Sequence, residues 1–107
     1  MVDHREYWNA QFSKYNHVWG EAPSKTAEVA LSLFRARKVN KILIPGSGYG
    51  RNSKLFSTSG FDVTGIEISD EACALARAYD PGTKLYNGSF LESDFDQGPY
   101  QGIYCFN

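Results

Sequence analysis

Apolar positions along the chain recur with two periods, and the change from one to the other marks out the elements. Ala27, Ala30, Leu31 and Phe34 fall at i, i+3, i+4 and i+7, a single helical stripe. Ser24 is placed to cap that helix, and Arg35, Arg37 and Lys38 close it where the helix dipole favours positive charge. Upstream, Tyr7, Trp8, Phe12 and Tyr15 line one side of a more polar, amphipathic helix over residues 3–15. Residues 16–24 separate the two. Asn16, Gly20 and Pro23 break helical structure there, while His17 and Trp19 carry large side chains into the loop. A loop tryptophan either packs the N-terminal segment onto the core or belongs to a lid over a ligand.

Beyond Asn40 the pattern turns strand-like. Residues 41–44 form an apolar run too short for a helix and bounded by Asn40 and Pro45, which predicts a strand buried on both faces. Leu55 and Phe56 mark a helix over residues 52–59, ended by Gly60. The β-branched residues of 61–68 predict a second strand. Ser69, Asp70 and Glu71 supply the cap and acidic first turn of a helix running through Ala72, Leu75, Ala76 and Tyr79, with Asp80-Pro81-Gly82 ending it. A short third strand follows at 84–86, a polar loop at 87–99 and a fourth strand at 101–106. Strands alternating with helices through short connections predict an α/β fold with a doubly wound, mainly parallel sheet of order 3-2-1-4. No linker or repeat divides residues 1–107, which read as one domain with residues 1–23 as an N-terminal helix and lid-like loop.

Composition narrows the partners. A formal charge of −1 with both signs mixed along 107 residues gives no basic stripe, so binding through phosphate neutralisation is not expected. Cys73 and Cys105 lack CxxC spacing and fall in helical and strand-like patterns, as expected of buried thiols in a reducing compartment; no metal site is expected. The first residues lack the apolar centre of a signal peptide, and no run approaches the ~20 residues of a membrane span. The chain reads as cytoplasmic, with no membrane partner.

The specific chemistry lies in Pro45-Gly46-Ser47-Gly48-Tyr49-Gly50-Arg51-Asn52, directly after the first strand. Alternate glycines let the backbone turn sharply and approach a ligand with no Cβ between them. A dinucleotide-binding turn places its third glycine at the sixth position, for close helix packing beside a pyrophosphate. Arg51 stands there. The turn therefore suits a ligand with a ribose but no phosphates. Glu67, with Ile68 beside it, ends the second strand about 20 residues further on, where a carboxylate meets ribose hydroxyls. Gly88, Ser89 and Phe90 follow the third strand, a tight turn with a small polar residue and an apolar side chain able to lie against an adenine.

From these residues onward, over roughly 41–107, the sequence resembles the class I, Rossmann-like methyltransferases that use S-adenosylmethionine (SAM) and release S-adenosylhomocysteine (SAH). The resemblance implies that Pro45, Gly46, Ser47, Gly48, Tyr49, Gly50 and Asn52 lie along the methionine part of the cofactor, that Glu67 and Ile68 hold the ribose, and that Gly88, Ser89 and Phe90 meet the adenine. Tyr49 either packs on the methionine end or fills space. Ser89 and Gln101 stand where the family often has Asp. The segment containing Trp19-Gly20-Glu21-Ala22-Pro23-Ser24 is similar to small-molecule members of the thiopurine and tellurite-resistance type, in which it covers the cofactor, so Trp19 joins the candidate site. The acceptor is then a small molecule, with His17 a candidate base in the lid. Asn107 falls at the rim of the crevice beside the fourth strand, and the resembled family continues with a further helix and strands. The expectation is either a truncated methyltransferase domain ending after its fourth strand, or a short variant whose apolar edge is completed by pairing with a second copy. The alternative is a catalytically inert adenosyl-ligand module dimerising through that edge.

Overall fold

A computed structural model describes residues 5–7, 9–10, 22–89 and 98–105. Four parallel strands, β1 (Lys41–Pro45), β2 (Asp62–Glu67), β3 (Lys84–Asn87) and β4 (Gly102–Ile103), form one sheet in the order β3-β2-β1-β4. Helix α1 (Lys25–Ala36) precedes β1, α2 (Ser53–Ser57) connects β1 to β2, and α3 (Asp70–Tyr79) connects β2 to β3. This is the order and the parallel sense expected from the alternation of patterns. Strand order reverses beside β1, so the crevice of such a sheet opens beyond the carboxyl ends of β1 and β4.

The caps form where the sequence places them. Ser24 accepts from Ala27 N and Ser69 from Ala72 N, each satisfying an amide of the first turn that has no partner within its helix. At the far end of α1, Lys38 takes φ 57° and Val39 N bonds back to Phe34 O at 2.9 Å, a left-handed ending usually left to glycine. Helix α2 is shorter than its pattern. Ser57, Thr58 and Ser59 hydroxyls take the carbonyls of Lys54 and Leu55, competing with continued helix, and Gly60 at φ 93° turns the chain away.

Ile42, Ile44 and Val63 on one sheet face meet Ala27, Phe56 and Tyr104, with Leu31, Phe34 and Phe61 around them. The rings of Phe34, Phe56, Phe61 and Tyr104 stand 5.6 to 6.5 Å apart in tilted or edge-on pairs. Ile42, Phe56 and Val63 are almost fully withdrawn from water, a gain of about 1.5–3 kcal/mol for each such side chain. Leu43, Thr64 and Ile66 are buried too, so β1 and β2 are buried on both faces as a central parallel pair should be.

Further expectations need correction. The fourth strand is two residues long and not six, although Gln101 N and Tyr104 N still bond to Lys41 O and Leu43 O. Tyr104 leaves the strand because its ring turns into the core and its hydroxyl bonds to Ser24 Oγ and Thr26 Oγ1, at 2.9 and 2.7 Å. Cys105, expected to be buried, is exposed, and Ile103 beside it is 62% exposed on this edge strand. The third strand also runs one residue further than expected, taking in Asn87.

Candidate functional site

The glycine turn begins where Pro45, with no N–H, ends the ladder of β1. Ser47 N takes over by bonding to Ile66 O at 3.1 Å, which folds the turn back across the tip of β2. Gly46 and Gly48 both have φ 63° and Gly50 has φ 99°, backbone angles that L side chains rarely adopt. Their surroundings differ. A Cβ on Gly46 would meet nothing within 4 Å, whereas one on Gly50 would lie 3.1 Å from Asp80 Cβ. Gly46 therefore has open space where a side chain would stand, and Gly50 is bare because α3 packs against it.

Glu67 is the hinge of the arrangement. It is only 6% exposed at the tip of β2, and its Oε1 accepts from Gly48 N at 2.9 Å while Oε2 accepts from Ser69 N at 2.8 Å. One carboxylate thus ties the glycine turn to the start of α3. A carboxylate offers about four lone-pair sites, so two of them stay available to a ligand's hydroxyls. Gly65, inside the same strand, allows the close approach of the turn, since a Cβ there would sit 2.9 Å from Ser47 Oγ.

The other candidates divide. Gly88, at the tip of β3, is open in the same sense as Gly46, with Ser89 half-buried after it and Ile68 half-buried after Glu67. Tyr49 is 1% exposed, its ring packed with Ala72 and Leu75. Asn52 serves as a latch: its Oδ1 accepts from Ser24 N at 2.8 Å, joining the turn to the start of α1. Arg51 likewise reaches back, Nη1 to Ala22 O at 3.4 Å. Trp19, Phe90, Asn107 and His17 lie outside the described residues. With five residues, α2 carries little dipole, so the turn can recognise a ligand through shape and backbone more than through attraction for phosphate.

Several site neighbours carry no mark in the sequence. Asp80, 3% exposed, accepts from Ser53, Ser57 and Thr83 hydroxyls, each at 2.5 Å, and this knot fixes the floor beneath Gly50. Asn87 Nδ2 donates to Asp70 Oδ1 at 2.7 Å, and Arg5 Nη1 donates to the same oxygen at 2.6 Å; that hydrogen bond from Asn87, with Arg5 beside it, holds the Asp70 carboxyl below its ordinary range. A glycine inside a strand, here Gly65, is the one sequence signal that could have found a member of this set. Among the described residues no group of His, Cys, Asp and Glu could hold a metal ion, and no helix is long and apolar enough to cross a membrane.

Cys73 lies behind Glu67, fully buried, and burial together with the nearby Glu67 charge pushes its thiol up to about 11. A maleimide at about pH 8 is expected to modify Cys105 and spare Cys73, because the thiolate is the reactive form. Intact mass should show one adduct without denaturant and two with it; two adducts on the native chain would contradict the packing of α3.

Solved structures share this fold. The magnesium protoporphyrin IX methyltransferase of Synechocystis PCC 6803, solved with bound SAH, superposes with a TM-score of 0.76 at 16% identity, over 94% of this chain and 55% of that one. A TehB-like SAM-dependent methyltransferase from Corynebacterium glutamicum gives 0.67 at 20% identity, over 97% and 55%. An O-methyltransferase from Bacillus cereus, in complex with SAH, gives 0.70 at 17% identity, over 99% and 55%. The chain thus spans about half the length of these proteins. No curated protein matches the sequence. The family model described as a methyltransferase domain matches residues 43–107, from the middle of β1 through the glycine turn, Glu67 and Gly88 to the last residue. With more than half of its length in that match, the chain belongs to the methyltransferase-domain family, and its sheet has that family's Rossmann-like order.

Proposed function

We propose that this chain forms the SAM-binding part of a methyltransferase acting on a small-molecule acceptor. The observation that carries the reading is the Glu67 carboxylate, buried at the tip of β2, held by two backbone amides and keeping acceptor capacity toward a crevice bordered by Gly46 and Gly88. Those residues fit the cofactor. Glu67 and Ile68 would hold the ribose, Gly46, Ser47 and Gly48 the methionine part, and Gly88, Ser89 and Phe90 the adenine, with Trp19 and Asn107 at the border. When bound, SAM supplies a methyl group already activated on a sulfonium. The chain's own task is then to fix orientation and exclude water. Turn and carboxylate perform the first, since their shape is set before any ligand arrives.

A small acceptor is favoured by the absence of a basic stripe in a chain of net charge −1, and by relatives such as the magnesium protoporphyrin IX enzyme, named for a small molecule. Cys73 and Cys105 are both free thiols, which supports a cytoplasmic setting. Calorimetric titration with SAH tests the reading. One saturable site is expected, with weaker binding of adenosine and none of NADH. A full chain that takes up no SAH would remove the proposal.

A further inference from the structure

The described N-terminal residues reach this site although no motif includes them. Residues 5–7 and 9–10 are helical, and Asn9 Oδ1 accepts two hydrogen bonds at the start of α3, from Ser69 Oγ at 2.6 Å and from Glu71 N at 3.1 Å. Ser69 itself caps Ala72 N at 3.1 Å. Two amides of the first turn are therefore satisfied, one by the helix's own cap and one by a residue far upstream in the chain. Ser69 is the shared member: its hydroxyl donates to Asn9 and its N–H donates to Glu67 Oε2. Arg5 extends the contact to the Asp70–Asn87 pair, and Asn87 lies opposite Glu67 in the β2–β3 register.

We propose that Asn9 is a positioning residue for the adenosyl end of the cofactor, acting through Ser69 on Glu67, so that the N-terminal segment and the ligand favour each other's docking. This rests on the proposed function. A carboxylate directs two hydroxyls only when its own rotamer is fixed. One of the two amides that fix Glu67 belongs to Ser69, and Ser69 is held from the other side by Asn9. Without Asn9 the first turn of α3 loosens around Oε2, while Gly48 N stays on Oε1. The loss is therefore partial and confined to the ribose side. Linkage requires the converse, that a ligand fixing Glu67 strengthens the hold of Asn9 by the same factor. The Arg5–Asp70 pair, with side chains 38% and 55% exposed, adds alignment and little affinity.

The test uses the full chain, Asn9→Ala and Asn9→Asp, titrated calorimetrically with SAH and with adenosine. Asn9→Ala is expected to weaken both ligands by the same factor, about three- to tenfold, as for a lost cap. Asn9→Asp keeps the acceptor oxygen for Ser69 and Glu71 but loses the amide that faces Asp70 and sets a second carboxylate beside it, so it should recover only part of that loss. Hydrogen exchange at the Glu71 amide supplies a readout that a purely structural cap would not move: SAH should slow it in the wild type and leave it unchanged in Asn9→Ala. Unchanged affinities in Asn9→Ala would overturn the proposal, as would weaker SAH binding with adenosine binding intact. If the wild type binds no SAH, the functional reading falls and this one with it; if only the Asn9 variants disagree, the functional reading stands.

Discussion

Glu67→Ala is expected to weaken SAH binding by about 30- to 1000-fold, equivalent to about 2–4 kcal/mol. A ribose contact alone, made through hydrogen bonds to a charged group, accounts for about 1.5–3 kcal/mol. The remainder follows from what the carboxylate does before a ligand arrives. Its two oxygens hold Gly48 N and Ser69 N, so truncation leaves two buried amides without their acceptor and releases the glycine turn from the tip of β2. Unfolding stability should fall in the same variant by about 1–3 kcal/mol, the cost of leaving such groups unpaired. Glu67→Gln separates the two roles poorly and is informative for that reason. Glutamine keeps one acceptor but sets an amide N–H₂ against a backbone donor, so it should bind SAH nearly as weakly as alanine. Calorimetry and thermal unfolding on both variants provide the check. A Glu67→Gln chain with wild-type affinity would show that the carboxylate neither shapes the turn nor meets the ribose.

Much of this was legible in the sequence because local chemistry determined it. Ser24 and Ser69 cap helices through atoms three residues away, and an apolar run between Asn40 and Pro45 has few options besides a central strand. The spacing of Gly46, Gly48, Gly50 and Glu67 was visible for the same reason, since a turn at one strand tip and an acid at the next are set by the chain's own geometry. Long-range pairing was not visible. Asn52, a candidate ligand contact within the turn, also holds Ser24 N through its oxygen, a partner set by how α1 docks. Asp80 looked like the end of a helix and proves to gather three hydroxyls beneath Gly50. Asn9 carried no signal, because its partners Ser69 and Glu71 lie 60 and 62 residues away in the sequence. Tyr104 misled the reading of β4: alternation cannot tell a strand residue from an aromatic that leaves the strand to fill a core.

Exchanging single glycines of the turn should separate folding from binding. Gly50→Ala is expected to destabilise the fold by about 2–5 kcal/mol, combining strain at φ 99° with an overpacked contact. The new Cβ would lie 3.1 Å from Asp80 Cβ and 3.7 Å from Ala76 Cβ, atoms fixed to the backbone of α3 and its end, so relief requires the helix to move. Moving it would break the hydroxyl knot on Asp80, which leaves the strain no inexpensive outlet. Gly46→Ala meets no such neighbour, since nothing lies within 4 Å of its Cβ, and only the left-handed backbone is penalised, by about 1 kcal/mol. That methyl group instead enters the crevice in front of the turn. Thermal unfolding should therefore place Gly46→Ala near the wild type and Gly50→Ala far below it, while SAH titration of the folded Gly46→Ala chain should show binding weakened by at least about tenfold, through lost backbone approach. Wild-type SAH affinity in Gly46→Ala would mean that the ligand does not lie along the open side of this turn, and near-native stability in Gly50→Ala would mean that α3 is not packed against it.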